Sequence, residues 1–115
     1  MSLQPKPCLS PEDYLALERS AEFKSEYFDG EIFVMAGVSE SHNLIVINTI
    51  RELSIQLKKR PCKVYANDMR VRVSPTGLFT YPDVMVVCGQ AQFDDSHLDT
   101  LLNPTLIVEV LSDST

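Results

Sequence analysis

Two apolar runs near the C-terminal end constrain this chain more than any other feature: Val84–Cys88, and Leu106–Leu111, in which Glu109 is the one polar residue. Runs of this kind belong to strands covered on both faces, so both are read as central strands of a sheet that other elements must sandwich. With 115 residues and 44% hydrophobic composition, the chain supports one domain with a modest core. The second run sits close to the last residue, Thr115, which leaves little chain to cover its far face or satisfy its edge. The expectation is that residues 1–115 form a single domain that is either completed by a partner subunit or incomplete at its C-terminus.

The elements before these runs are legible from caps and periods. Residues 1–9 carry Pro5 and Pro7 and no periodic pattern, an irregular lead-in. Ser10-Pro11-Glu12-Asp13 is an N-cap serine, a proline at the first helical position and acids in the first turn, which predicts a helix to about Ser20 with Tyr14, Leu15 and Leu17 inward. Asp29-Gly30 between Lys24–Phe28 and Glu31–Ala36 predicts a two-residue hairpin. Ser39 or Ser41 caps a second helix with the stripe Val46, Ile50, Leu53, Leu57, Lys58–Arg60 in its last turn and Pro61 as its stop. Cys62–Ala66 and Met69–Ser74 alternate as strands, the latter with an apolar face and a basic face of Arg70 and Arg72. Pro75-Thr76-Gly77 reads as a turn, and Ser96–Leu102 as a possible helical turn. The order implies an α/β or α+β domain with one mixed sheet flanked by helices.

Charge narrows the function classes. The net charge is -6, and all ten Lys and Arg lie in residues 1–72, while residues 73–115 hold six acids and no cation. Such a chain repels nucleic acid and anionic membrane unless cations are locally concentrated. It has neither a run long enough to span a membrane nor a signal-peptide pattern, which predicts a soluble cytoplasmic protein with no membrane partner. Cys8, Cys62 and Cys88 form no C-x-x-C pair and are read as reduced thiols, without a disulfide framework or thiolate zinc site.

Within the acidic third, Asp83 stands after Pro82 at the entrance to the first apolar run and Glu109 lies inside the second. A lone buried carboxylate costs several kcal/mol, on the order of a charged group's desolvation, unless paired, neutralised or metal-bound. Two on neighbouring strands are what a Mg²⁺ or Mn²⁺ site uses, because a hard cation takes carboxylate oxygens and keeps waters. The alternatives are a turn residue for Asp83 and a solvent-facing edge position for Glu109.

Ser25-Glu26-Tyr27-Phe28-Asp29-Gly30-Glu31-Ile32, His42-Asn43 opening a helix, Tyr81-Pro82-Asp83-Val84 and Ile107-Val108-Glu109-Val110-Leu111-Ser112 resemble, in order and spacing, the restriction-endonuclease-like family of domains of unknown function in the PD-(D/E)XK superfamily. The resemblance runs from about Ser10 to the C-terminus. It implies a restriction-endonuclease-like core with a central mixed sheet and flanking helices, and a divalent-metal site that hydrolyses DNA phosphodiesters; the uncovered face of Leu106–Leu111 adds the expectation of a homodimer. By position, Asp83 corresponds to the acid of the Pro-Asp element and Glu109 to that of the (D/E)XK element, both as metal ligands. Glu26 and His42 fall on recurrent family positions that complete or support the site; as plain residues they read as a solvated strand acid and a first-turn polar group. Asp68 is a weaker candidate of the same kind.

The pattern departs at one place: Leu111 stands where the family's lysine is expected, two residues beyond Glu109. A cation for the chemistry must then come from Lys63, Arg70 or Arg72, whose plain role is a solvated face, or from another subunit. The sequence thus predicts a Mg²⁺-dependent endonuclease domain lacking its usual lysine; the alternative is a truncated, inactive remnant serving as a binding or assembly module.

Overall fold

The computed structural model describes residues 8–74 and 76–111. The proline-containing start of the lead-in, Pro75 of the predicted turn, and Ser112 with the acid Asp113 lie outside the described residues.

The first helix, α1 (Pro11–Ser20), starts as the caps dictate, with the Asp13 amide donating to Ser10 Oγ at 3.1 Å. Tyr14 and Leu15 are buried, but Leu17 is 52% exposed rather than inward. The inward position one turn beyond Tyr14 belongs to Glu18, which accepts from the Ser25 amide at 2.8 Å. The hairpin follows as β1 (Ser25–Phe28) and β2 (Glu31–Val34). Its turn residues Asp29 and Gly30 both have positive φ, 52° and 82°, as a type I′ turn requires.

Helix α2 (Glu40–Gln56) is capped by Ser39, whose Oγ accepts from the His42 amide at 3.2 Å. His42 and Val46 are buried and Ile50, Leu53 and Leu57 half-buried, so the predicted stripe holds and extends one turn back to His42. The helix stops before Lys58–Arg60, which form a turn instead of its last turn. The remaining strands are β3 (Cys62–Ala66), β4 (Arg70–Val73), β5 (Leu78–Thr80), β6 (Val84–Cys88), β7 (Thr100–Leu101) and β8 (Leu106–Val108).

The fold is mixed α+β with a mixed sheet and two helices. The strands divide between a five-stranded sheet in the order β2-β1-β5-β4-β7, antiparallel except for the parallel β4–β7 pair, and an antiparallel three-stranded sheet β3-β6-β8. Two short strands that the sequence pattern does not show complete the larger sheet, and the one sheet expected is replaced by two. β5 bridges the hairpin to β4, and β7 occupies the place expected for a helical turn. The core has two centres: Tyr14, Leu15, Tyr27 and Phe79 under α1, with the rings of Tyr14 and Tyr27 stacked at 5.0 Å, and Val71, Met85, Val87 and Leu101 between the sheets.

Strand β6 is buried along Val84–Val87, as its composition predicts, and lies centrally in its sheet. Strand β8 does not fulfil the same expectation. It is an edge among the described residues, with Leu106 45% and Ile107 42% exposed, because β6 is its only hydrogen-bonded neighbour there. The cysteine reading is also corrected. Cys62 and Cys88 are directly opposed across β3 and β6 and are joined by a disulfide, while Cys8 is free and exposed. Among the described residues no helix is long and apolar enough to cross a membrane.

Candidate metal centre

The register of β6 with β8 places the two acids. Val84 pairs with Val108, so Asp83 and Glu109 are opposed one step beyond the end of the antiparallel ladder. They clasp each other through the backbone: the Asp83 amide donates to Glu109 Oε1 at 3.1 Å, and the Val110 amide donates to Asp83 Oδ2 at 2.7 Å. From the first turn of α2, His42 Nε2 meets the same Asp83 Oδ2 at 3.2 Å. A carboxylate only accepts, so Nε2 carries the proton; Nδ1 is buried without a hydrogen-bond partner among the described residues.

Glu26 comes from β1. Strand β5 pairs with β1 and runs directly into Tyr81-Pro82-Asp83, and the Thr80 hydroxyl donates to Glu26 Oε2. Burial pushes the carboxyl of Glu109 above its ordinary range, the Asp83 and Glu26 charges push it the same way, and the Asp83 amide and His42 act against them. The four predicted residues Asp83, Glu109, Glu26 and His42 are therefore brought to one locality. Asp68 is not: it is 88% exposed and pairs with Lys24.

This donor set fits a hard divalent cation. Asp83 Oδ1 and Glu109 Oε2 accept no hydrogen bond from the described residues, and Glu109 is raised chiefly by burial, a desolvation that a bound cation would offset. Among the described residues no three His, Cys, Asp or Glu side chains form a metal-holding group, so such an ion would rely on two carboxylates and water.

The cation candidates fare differently from their predicted role. Leu111, at the lysine position, is 91% exposed. Arg70 is not a solvated residue but is buried, donating to the Tyr81 hydroxyl at 3.1 Å and Thr100 Oγ1 at 3.2 Å. Arg72 pairs with Asp94 at 3.1 Å and covers the Phe79 ring. Lys63 is exposed opposite Val87, at the far end of β6 from Asp83.

What the sequence did not disclose is a bracket of polar groups around Tyr81, two residues before Asp83. The Tyr81 hydroxyl donates to Glu18 Oε2 at 2.6 Å while accepting from Arg70, and burial together with Glu18 pushes its pKa up to about 12. Arg70 in turn lies beside Asp99, which Arg19 grips through Nε at 2.8 Å. The bracket's members come from α1, β4, the approach to β6 and the residue before β7, so no local pattern discloses it.

Residues 11–115 match the model of the Uma2 family, described as "Putative restriction endonuclease". The chain belongs to the Uma2 family. The chain is 38% identical over 106 residues to the uncharacterized protein sll1609 of Synechocystis sp. (strain ATCC 27184 / PCC 6803 / Kazusa), covering 92% of this chain and 60% of that protein. It is 37% identical over 111 residues to slr1290 of the same organism, also uncharacterized, covering 96% of this chain and 57% of that protein. The chain thus spans about three-fifths of the length of these relatives. A crystal structure described as a "putative nuclease belonging to DUF820" from Anabaena variabilis ATCC 29413 superposes with a TM-score of 0.68 at 20% identity, covering 88% of this chain and 57% of that one. That likeness establishes the shared fold.

Proposed function

We propose that this chain carries the metal-binding acids of a Mg²⁺-dependent DNA endonuclease, with Asp83 and Glu109 as ligands. The observation that carries the reading is the reciprocal clasp of these two acids at the open end of β6 and β8. The Uma2 description and the fold neighbour support the reaction class.

A bound Mg²⁺ or Mn²⁺ would supply Lewis acidity and lower the pKa of a coordinated water. The rest is the work of the chain's own groups. His42 and the Val110 amide hold Asp83 Oδ2, leaving Oδ1 as a donor toward the ion. The Asp83 amide orients Glu109 by its Oε1, and Thr80 holds Glu26 near the pair. The reading includes action on cytoplasmic DNA and a second copy of the chain. The exposed Leu44, Ile45, Ile47 and Ile55 of α2, with Leu106 and Ile107 of β8, support the latter as surface that association would cover.

Plasmid DNA incubated with Mg²⁺ or Mn²⁺ and the wild type, Asp83→Ala or Glu109→Ala protein tests the proposal. Cleavage by the wild type that both substitutions abolish supports it. Equal cleavage by all three proteins, or none by the wild type, refutes it.

A further inference from the structure

Next to Asp83 opens a cleft whose walls come from the start of the hairpin (Phe23, Lys24), the segment after β2 (Met35, Val38) and the approach to β6 (Tyr81). Among the residues lining it, one is a cation. Lys24 Nζ donates to the Asn67 carbonyl at 3.2 Å, pairs with the exposed Asp68, and sits 5.6 Å from the centre of the Tyr81 ring. Ladder pairing continues past β1, since the Met35 amide donates to the Lys24 carbonyl at 3.2 Å, so Lys24 shares a face of the hairpin with Glu26. Phe23, 74% exposed, stands on the same rim.

Resting on the nuclease reading above, we propose that this cleft receives a DNA strand, with Lys24 as its phosphate contact and Phe23 as its stacking platform. The chemistry fits. A phosphodiester reaching the Asp83 end must pass acids, and a lysine at the mouth offsets that repulsion. The contact with Asp68 has solvent on its far side, so phosphate oxygens can replace it without stranding a buried charge. An exposed aromatic beside a cation is the arrangement by which proteins hold single strands without reading sequence. It also gives the site a cation from the hairpin where Leu111 provides none.

The test is fluorescence anisotropy of a short fluorescein-labelled oligothymidylate, titrated over a range of salt concentrations with Ca²⁺ replacing Mg²⁺. One lost phosphate contact lowers the slope of log affinity against log salt by about 0.7, which is about a fourfold loss at about 0.15 M salt, and this is the expected behaviour of Lys24→Ala. Lys24→Arg retains both affinity and slope. Asp68→Asn, at an exposed position that folding does not depend on, frees Lys24 and tightens binding. Phe23→Ala weakens binding about fivefold or more with little change in slope. Unchanged affinity and slope in Lys24→Ala, or no effect of Asp68→Asn, overturns the inference. If the wild type fails to bind yet cleaves plasmid in an Asp83-dependent manner, the cleft assignment falls and the nuclease reading stands; if it does neither, both fall.

Discussion

Replacing Tyr81 with Phe removes a single oxygen and tests the bracket of polar groups built around it. That oxygen is buried, donates to Glu18 and accepts from the buried guanidinium of Arg70, at 2.6 and 3.1 Å. Hydrogen bonds to charged groups contribute about 1.5–3 kcal/mol each, and both partners keep other contacts, Glu18 with the Ser25 amide and Arg70 with Thr100. The lower figure therefore applies twice, about 3 kcal/mol in all. A chain of this length shifts its melting temperature by about 4 °C per kcal/mol, so Tyr81→Phe should melt about 12 °C below the wild type. Tyr27→Phe is the internal comparison. Its hydroxyl donates only to the Leu9 carbonyl at 2.5 Å, a neutral bond of about 1 kcal/mol, and the drop should be about 4 °C. Thermal melts followed by circular dichroism give both values. A Tyr81→Phe protein that melts with the wild type, or no lower than Tyr27→Phe, would refute the bracket.

Three further outcomes concern Glu109, Asp99 and the disulfide. Glu109 is raised above 4.5, so the stability its protonated form contributes is present at low pH and lost as pH climbs through its folded value; Glu109→Gln should therefore gain melting temperature over the metal-free wild type as pH rises, and a constant difference would contradict this. Asp99 is held down to about 2 chiefly by Arg19, so its contribution is present above 3.8 and lost as pH falls toward 2. After allowance for a side chain one-third exposed, Asp99→Asn should cost about 1 kcal/mol at neutral pH and nothing near the acid limit, read from denaturant melts. Reducing Cys62–Cys88, which closes a separation of 26 residues, should cost about 3.5 kcal/mol by the chain-entropy relation; peptide mapping that finds both thiols free in protein purified without reductant would contradict the bridge.

The parts of the fold readable in advance were those governed by local chemistry. The caps at Ser10 and Ser39, the Asp29-Gly30 turn and the stripe from Val46 to Leu57 each carry their signal within a few residues. Asp83 and Glu109 were conspicuous because apolar neighbours make an acid costly, and the expected locality is found. Their opposition, however, depends on the register of β6 with β8, which no local pattern specifies. Strands β5 and β7, three and two residues long, are too short to show alternation, yet β5 is what carries Glu26 to the site. Alternation made Arg70 look solvated. Partners remote in sequence, Tyr81 and Thr100, make its burial tolerable. Cys62 and Cys88 became a pair for the same reason, since only strand pairing sets them opposite one another.

The most direct test of the shared metal point is calorimetric titration of Mn²⁺ into wild-type, Asp83→Asn and Glu109→Gln proteins. The wild type should bind a divalent ion, more tightly as pH rises because proton and ion compete for Glu109, with heat of binding lost in each variant. Equal Mn²⁺ affinity in all three proteins would contradict the shared point.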